Sequence, residues 1–237
     1  MSRTMRLLLV IFAILIWITV RTLVDKETPT LVKPVVTESE KVVPEEKTIE
    51  RQRHLFAIGD SLTAGYQLSP EQSFPAQLQE LLKEQKITVI NAGKSGDTSS
   101  QMRERFSWSL TDAKPGDIAL ITAGANDGLQ WLPLEQLEEN VQWLITEAKN
   151  RELIVIVWGM KLPPNYGPEY ARWFEELFPR VASELNVLLV PFILDWVAAN
   201  PSLNLDDGIH PNAEWYAIIA QNLTDFLEEN DIIDPTF

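Results

Sequence analysis

Residues 56–65 read FAIGDSLTAG, a short apolar run that ends in Gly-Asp-Ser and leads into a helix-like segment. Apolar residues bounded by a glycine are typical of a buried strand. Ser61 is therefore expected just past the carboxyl end of a strand, where open α/β sheets bind their ligands. The plain alternative is an ordinary strand-to-helix turn in which Ser61 caps the helix, since Ser and Asp are both common N-caps. This stretch alone leaves the two interpretations open.

The chain from residue 54 onward alternates short apolar runs with helical patterns. The apolar runs predict five strands, at residues 54–59, 87–90, 117–122, 153–158 and 187–190. Amphipathic periodicity predicts three helices, at residues 74–85, 134–148 and 213–229. Continuous apolar strands separated by helices favour a parallel sheet that is covered on both faces. We therefore expect one three-layer α/β/α domain over residues 54–237.

Polar residues and glycines follow the first three predicted strands. Ser61 follows the first strand, Gly96 the second and Asn126 the third. Because the carboxyl ends of parallel strands meet at one edge of a sheet, we expect these residues to gather at one rim. A late loop before the last helix contains His210. The only other histidine, His54, begins the first strand at the opposite end of the sheet, and we interpret it as structural.

These residue types fit hydrolysis through an acyl-enzyme. A serine hydroxyl is a weak nucleophile and needs an adjacent base, which His210 would supply to Ser61. Asp207 would accept the other ring N–H of the histidine, fix its tautomer and stabilise the imidazolium. The backbone N–H groups of Ser61 and Gly96 and the side-chain amide of Asn126 are suited to bind the oxyanion of a tetrahedral intermediate.

Each of these residues also has an ordinary structural interpretation. Asn126 lies in an Asn-Asp-Gly sequence that fits a plain turn. Asp207 fits a helix cap or a solvated loop, and His210, which precedes a proline, fits a surface histidine. Asp206, Asp207 and His210 could bind a metal, but no further histidine supports such a site, so we expect no metal. Four such elements in one order, each at a strand end or in the late loop, favour the catalytic interpretation.

Composition and charge narrow the classes of partner. The chain has no cysteine, which excludes disulfides, thiolate metal sites and a cysteine nucleophile. The formal net charge is −14, and the whole excess lies in residues 51–237 because basic and acidic side chains balance in residues 1–50. A domain this acidic is repelled by phosphate backbones and by anionic lipid headgroups. We therefore expect no nucleic-acid partner.

Residues 1–24 predict an uncleaved signal anchor. The apolar run that ends at residue 24, interrupted only by Arg21, would be about 27 Å long as a helix, near the lower limit for a bilayer span. Arg3 and Arg6 precede it and favour translocation of the rest of the chain. Because no small-residue cleavage pattern stands near its end, we favour a retained anchor over a removed signal peptide.

Residues 25–53 predict a disordered tether between the anchor and the domain. The segment is charged, contains proline and threonine, and has no sustained periodicity, which is typical of a semi-extended linker. The expected location is therefore the inner membrane, with a single span and the catalytic domain in the periplasm. A soluble periplasmic or secreted protein, released by cleavage of the signal, is the alternative.

The sequence resembles the SGNH (GDSL) hydrolase family at four ordered blocks. The blocks are Gly59–Leu62, the Gly96 block, Gly124–Asp127 and Asp207–His210. The resemblance covers essentially all of residues 54–230, and within the family it is strongest to bacterial arylesterases, thioesterases and lysophospholipases. It implies a five-stranded parallel sheet in flavodoxin-like order.

The resemblance also implies a role for each residue of the predicted site. Ser61 would be the nucleophile, and Asp207 and His210 would be the other members of a catalytic triad. Gly96 and Asn126 would be oxyanion donors together with the N–H of Ser61. Enzymes of this kind need no metal and no cofactor.

The expected substrate is an ester or thioester of a short- to medium-chain acyl group, including aryl esters and lysophospholipids. Apolar side chains near the expected rim favour an acyl chain over a sugar: Leu129, Trp131, Met160, Leu162 and Tyr166. The resemblance implies that the loop at residues 128–133 moves over bound acyl chains. A tryptophan in this loop would shorten the acyl pocket, so the preferred chain length stays open.

Two other functions stay open from the sequence. A carbohydrate O-acetyl esterase or acyltransferase acting on cell-envelope polymers would use the same fold and benefit from a tether. The second function is that of an inactive domain that only binds a ligand. Such a domain has no chemical need to keep the four predicted catalytic and oxyanion side chains. The oligomeric state is also open, with a monomer as the simplest expectation.

Overall fold

A five-stranded sheet forms the centre of the structure, a computed structural model that describes residues 51–192 and 202–234. The strands are β1 Arg53–Gly59, β2 Ile87–Gly93, β3 Ile118–Thr122, β4 Ile154–Trp158 and β5 Leu188–Val190. Their order is β2-β1-β3-β4-β5, and every pairing is parallel. This topology confirms the predicted α/β fold and its flavodoxin-like strand order.

The strands are apolar enough to be covered on both faces, as the sequence predicts. Every residue of β3 is buried, as are most residues of β1 and β4. The register places Gly59, the end of β1, beside Gly93 of β2 and Thr122 of β3. The carboxyl ends of the three strands are therefore level, and the segments that follow them start from one rim.

Helices cover the sheet on both faces. Seven α-helices lie within the described residues: α1 Ser61–Ala64, α2 Phe74–Leu81, α3 Ser99–Ser109, α4 Ala125–Leu129, α5 Leu134–Asn150, α6 Pro168–Glu184 and α7 Ala213–Glu229. Short 3-10 turns occupy Pro70–Gln72, Lys83–Gln85 and Pro164–Tyr166. α2 packs against α7, whereas α5 packs against both α3 and α6. These two groups form the outer layers of the sandwich.

Several predicted boundaries differ from the structure, three of them in the first two strands and the helix between them. The helix predicted for residues 74–85 ends at Leu81 and gives way to a 3-10 turn, after which Lys86 adopts a left-handed conformation with φ of 54°. β2 continues past its predicted end to Gly93 because it pairs with the full length of β1. Arg53, assigned above to the tether, begins β1, and its guanidinium donates to the Ile232 carbonyl at 2.6 Å.

The predicted signal anchor at residues 1–24 and the tether up to residue 50 lie outside the described residues. Within residues 51–192 and 202–234, no helix has both the length and the apolar character needed to cross a membrane. The structure therefore bears on the predicted hydrolase domain alone.

Candidate active site

Ser61 is the first residue of α1, the helical turn that follows β1. The carboxylate of Asp60 caps this turn by accepting a hydrogen bond from the Leu62 N–H at 3.0 Å. The interpretation of Ser61 as the helix cap is therefore wrong. Glycine is required just before the cap, because a Cβ on Gly59 would lie 2.0 Å from the hydroxyl of Thr63.

The structure brings three predicted site residues into one hydrogen-bonded chain. Ser61 Oγ lies 2.9 Å from His210 Nε2. The other ring nitrogen, His210 Nδ1, lies 2.7 Å from Asp207 Oδ2. A neutral imidazole that donates from Nδ1 to the carboxylate leaves Nε2 free to accept the serine proton.

The loop before α7 is built around the Asp207 carboxylate. Its Oδ1 accepts hydrogen bonds from the N–H groups of Ile209 and His210 at 2.9 and 3.0 Å. Gly208 supplies the left-handed turn, with φ of 69°, as glycine does at no steric cost. Partial burial raises the pKa of the Asp207 carboxyl, but the hydrogen bonds from His210 and Ile209 outweigh it and lower that pKa to about 2. The carboxylate is therefore charged at neutral pH.

The predicted oxyanion donors meet at the same rim. Asn126, in the first turn of α4, donates one amide hydrogen from Nδ2 to the Asp97 carbonyl at 2.9 Å, which leaves its second amide hydrogen available. Gly96 has φ of 87°, and a Cβ there would meet no atom within 4 Å, so its backbone faces open space. Among the described residues, no acceptor takes a hydrogen bond from the N–H of Ser61 or of Gly96.

Asp60, the cap of α1, is a buried acid directly beside the predicted nucleophile. Its side chain has no exposed surface, and its Oδ2 has no hydrogen-bond partner among the described residues. Burial raises the pKa of Asp60 to about 6, although the Leu62 N–H and the charge on His210 lower it in part. Asp60 therefore holds its proton to a higher pH than an ordinary aspartate does.

Two further residues support the site, and neither was predicted from the sequence. The ring of Tyr66 packs on the ring of His210, with centroids 4.6 Å apart. Asp127, which was given no role in the predicted site, is buried and accepts hydrogen bonds from the backbone N–H and hydroxyl of Ser99 at 2.7 and 2.5 Å. Its position after Asn126 was the only available signal, whereas nothing local marked Tyr66.

The residues predicted to bind the acyl group fall into two environments. Trp131 is 57% exposed, with its ring stacked on Tyr166 and Tyr170 at centroid distances of 5.2 and 4.7 Å. Leu129 and Leu162 are half-buried on the same side, where Leu162 packs over Gly128. Met160 differs, because it is only 3% exposed and lines a cavity of about 10 Å³ together with Phe74 and Trp158. Met160 therefore offers little accessible surface to a ligand.

The two tyrosines hold the loop that carries Trp131. The Tyr166 hydroxyl donates to the Leu129 carbonyl at 3.3 Å, and the Tyr170 hydroxyl donates to the Leu132 carbonyl at 3.0 Å. Trp131 itself has a left-handed backbone, with φ of 56°, a conformation that costs a non-glycine residue about 1 kcal/mol or more. The loop is therefore held in one shape by neighbouring side chains.

The arrangement is equipped for attack by a hydroxyl on a carbonyl carbon. A base lies next to the hydroxyl, a charged carboxylate orients the base, and free N–H donors lie at the same rim. Within the described residues, no group of three or more His, Cys, Asp or Glu side chains could hold a metal ion.

Known proteins resemble this chain in both sequence and structure. Residues 57–218 match the GDSL-like lipase/acylhydrolase family. An arylesterase of Vibrio mimicus is 38% identical over 179 residues, which cover 73% of this chain and 89% of the relative. The thioesterase 1/protease 1/lysophospholipase L1 of Escherichia coli K12 is 36% identical over 166 residues, 70% of this chain and 79% of that protein. The psychrotrophic esterase EstA from Pseudoalteromonas superimposes with a TM-score of 0.71 at 28% identity, over 75% of this chain and 97% of EstA.

Proposed function

The chain belongs to the GDSL-like lipase/acylhydrolase family and is a serine ester hydrolase, and from that premise we propose that Ser61, His210 and Asp207 form its catalytic triad. The 2.9 Å contact between Ser61 Oγ and His210 Nε2 is the observation that carries this assignment. A hydroxyl that donates to a neutral imidazole can lose its proton as it attacks.

The triad would act in two steps. Ser61 Oγ attacks the carbonyl carbon of the ester while His210 Nε2 takes the hydroxyl proton, and the same proton then passes to the leaving-group oxygen or sulfur. Water attacks the resulting acyl-enzyme with His210 again as base, which releases the acid and restores Ser61. Asp207, charged at neutral pH because its pKa is about 2, stabilises the imidazolium in both steps.

The oxyanion of each tetrahedral intermediate would bind the N–H groups of Ser61 and Gly96 and the side-chain amide of Asn126. The two backbone N–H groups have no acceptor among the described residues, so they are available to a substrate. Asn126 keeps one amide hydrogen for the same purpose, since the other is bonded to the Asp97 carbonyl. Donors fixed before the reaction stabilise the developing charge without reorganisation.

The substrate class we propose is esters and thioesters of short- to medium-chain acyl groups. Relatives named arylesterase and thioesterase 1/lysophospholipase L1 support this class and do not favour the carbohydrate esterase or the inactive binding domain. The half-buried Leu129 and Leu162 and the stacked Trp131 and Tyr166 would contact the acyl chain. Met160, which is only 3% exposed, would pack beneath the surface of the site rather than touch the substrate.

Hydrolysis of a p-nitrophenyl ester series, from acetate to palmitate, tests this function in the full chain. We expect Ser61→Ala to lower kcat by about 10⁴-fold or more. Ser183→Ala, on the exposed face of α6, is the matched control and should leave kcat unchanged. A folded wild-type protein that hydrolyses no ester of any length, or a Ser61→Ala variant as active as wild type, would refute the assignment.

We also propose that residues 1–24 anchor the enzyme in the inner membrane, with the domain in the periplasm. The support is the apolar run of the sequence between Arg6 and Asp25 and the lack of a cleavage pattern. Membrane fractions washed with alkaline carbonate should retain the enzyme. An N-terminus of the isolated protein that starts after residue 24 would show instead that the segment is removed.

A further inference from the structure

Asp97, the residue after Gly96, is a buried carboxylate held by a guanidinium. Its side chain is 2% exposed, and its Oδ2 accepts a hydrogen bond from Arg105 Nε at 2.5 Å. Lys94 Nζ also lies 3.4 Å from Oδ1, but the Lys94 side chain is 65% exposed, whereas that of Arg105 is 15% exposed. Exposed ion pairs contribute little, so Arg105 is the partner that fixes Asp97.

The same guanidinium joins the carboxyl ends of two strands. Arg105 Nη2 donates to the carbonyl of Gly59, the last residue of β1, at 2.9 Å. Its Nη1 donates to the Ala92 carbonyl of β2 at 2.8 Å and to the Ser109 hydroxyl at 2.9 Å. Arginine alone among the side chains offers this many donors in a rigid plane. Arg105 therefore ties together the strand end before Ser61, the end of β2 and the loop that follows it.

The main chain of Asp97 is fixed as well, and by the other predicted oxyanion donor. Its carbonyl accepts the hydrogen bond from Asn126 Nδ2 at 2.9 Å. Gly96 is bonded to Asp97 directly through the chain, so any shift of Asp97 moves the Gly96 peptide too. Both oxyanion donors outside α1 are therefore anchored to one residue, and that residue is anchored to Arg105.

We propose that Arg105 is a positioning residue for the oxyanion hole and acts through Asp97. The proposal rests on the assignment of Gly96 and Asn126 as oxyanion donors made above. Because Gly59 lies two residues before Ser61, the guanidinium sets the distance between these donors and the nucleophile. A displacement of about 1 Å in a catalytic group can cost about 10²-fold in rate. The donors bind the transition state more strongly than the ground state, so the loss should fall on kcat rather than KM.

Steady-state hydrolysis of p-nitrophenyl butyrate by full-chain variants tests the proposal. Arg105→Ala is expected to lower kcat by about 10²-fold while KM changes less than about threefold. Arg105→Lys keeps a charge near Asp97 but cannot reach both carbonyls, so we expect a loss of about tenfold. Removing the guanidinium leaves a buried carboxylate without its main partner, so thermal unfolding is measured for each variant. If Arg105→Ala does not fold, the kcat of Arg105→Lys tests the proposal instead.

Arg151→Ala is the matched control, because Arg151 has the same kinds of partners far from the rim. Its guanidinium bonds to the Glu147 carboxylate, the Leu110 carbonyl and the Ser107 hydroxyl. This variant should lose stability and keep the wild-type kcat. An equal loss of kcat in Arg105→Ala and Arg151→Ala would overturn the proposal, because it would reduce Arg105 to a general stabiliser of α3.

Two further readouts separate positioning from damage to the triad. Free guanidinium at low millimolar concentration should restore part of the kcat of Arg105→Ala. The midpoint of the pH–rate profile should not move, since Arg105 has no contact with His210. Wild-type kcat in both Arg105 variants would overturn the proposal. A wild-type protein without Ser61-dependent hydrolysis would instead refute the proposed function, so the two failures are distinguishable.

Discussion

Both histidines of the chain face an aspartate, one at each end of the sheet. At the rim formed by the strand carboxyl ends, His210 Nδ1 lies 2.7 Å from Asp207 Oδ2. At the opposite end, His54 Nδ1 lies 3.4 Å from Asp117 Oδ2. The two pairs use the same ring nitrogen and the same kind of acceptor, so the pair itself does not distinguish a catalytic site from a structural contact.

The difference lies in what else each pair touches. Asp117 also accepts hydrogen bonds from the backbone N–H groups of His54 and Lys114, and it forms an ion pair with Arg51 at 2.8 Å. Asp117 therefore holds several segments together at the start of β1. Among the described residues, Asp207 binds only its own loop, including His210. The other ring nitrogen of His210 lies within hydrogen-bonding distance of the Ser61 hydroxyl. The third partner, placed by the carboxyl end of β1, makes a histidine-aspartate pair useful for chemistry.

Exchange of each histidine for glutamine gives the largest expected contrast. His210→Gln removes the base beside Ser61 and should lower kcat by about 10⁴-fold or more. His54→Gln removes a long contact to a carboxylate that keeps its other partners, so kcat should stay within about twofold and stability within about 1 kcal/mol. The measurement is kcat for p-nitrophenyl butyrate together with thermal unfolding. A large loss of kcat in His54→Gln would contradict the structural role of the His54–Asp117 pair.

Exchange of each aspartate for asparagine should give a smaller difference in kcat than exchange of the histidines. In stability the order is reversed, because Asp117→Asn should be the more damaging change. Asp207→Asn cannot fix the imidazole tautomer, and we expect kcat to fall about 10³- to 10⁴-fold. Asp117→Asn weakens the hydrogen bonds of a buried carboxylate and its ion pair with Arg51. It should therefore cost about 1–3 kcal/mol of unfolding free energy while kcat is retained. Guanidinium titrations and initial rates on the same preparations check both. If Asp117→Asn were the more damaging change for kcat, the functional division between the two ends would be wrong.

The elements that carry the site were predictable because their signals are local. β1 and α7 could be predicted from apolar runs and helical periodicity, and the structure places α7 at the predicted residues, Ala213–Glu229. Ser61, Asn126 and His210 stand in short motifs whose residue types already suggest acyl transfer. Such motifs keep their meaning because the parallel sheet brings successive strand ends to one rim.

The missed features depend on contacts between distant segments. α3 was not predicted because its apolar stripe is thin, with Met102 and Phe106 as its only large buried hydrophobic side chains. α6 has Pro168 in its first turn and Pro179 in its interior, and proline inside a pattern argues against a helix. Arg105 gave no signal, since two of its partners are backbone carbonyls of other elements.

Met160 shows the same limit for the predicted acyl-binding residues. Chain position after β4 suggested a place at the rim, but the side chain turns into the core and is 3% exposed. The pleat and the packing of neighbouring side chains decide that direction. Residue type alone does not distinguish a methionine that is buried in the core from one that is exposed to a ligand.

The two ends of the sheet also carry buried acids with opposite pKa shifts. Burial raises the pKa of Asp60 from 3.8 to about 6. Burial also acts to raise the pKa of Asp117, but hydrogen bonds from His54, Lys114 and Arg51 outweigh it and hold that pKa below its ordinary value. Folded protein thus binds the Asp60 proton more tightly than unfolded protein does, and binds the Asp117 proton less tightly. The two groups should give stability opposite dependences on pH.

Stability that depends on the Asp60 proton is fully present below about pH 4 and is lost as pH rises through about 6. A shift from 3.8 to about 6 corresponds to at most about 3 kcal/mol. Asp60→Asn, which keeps an acceptor for the Leu62 N–H, should remove this decline between pH 4 and 7 in guanidinium titrations. Asp117→Asn should instead leave that decline in place and cost more stability at pH 6 than at pH 3, since the Asp117 contribution is lost as pH falls. If the stability of Asp60→Asn depended on pH as that of the wild type does, the buried acid beside Ser61 would be shown to stay charged between pH 4 and 7.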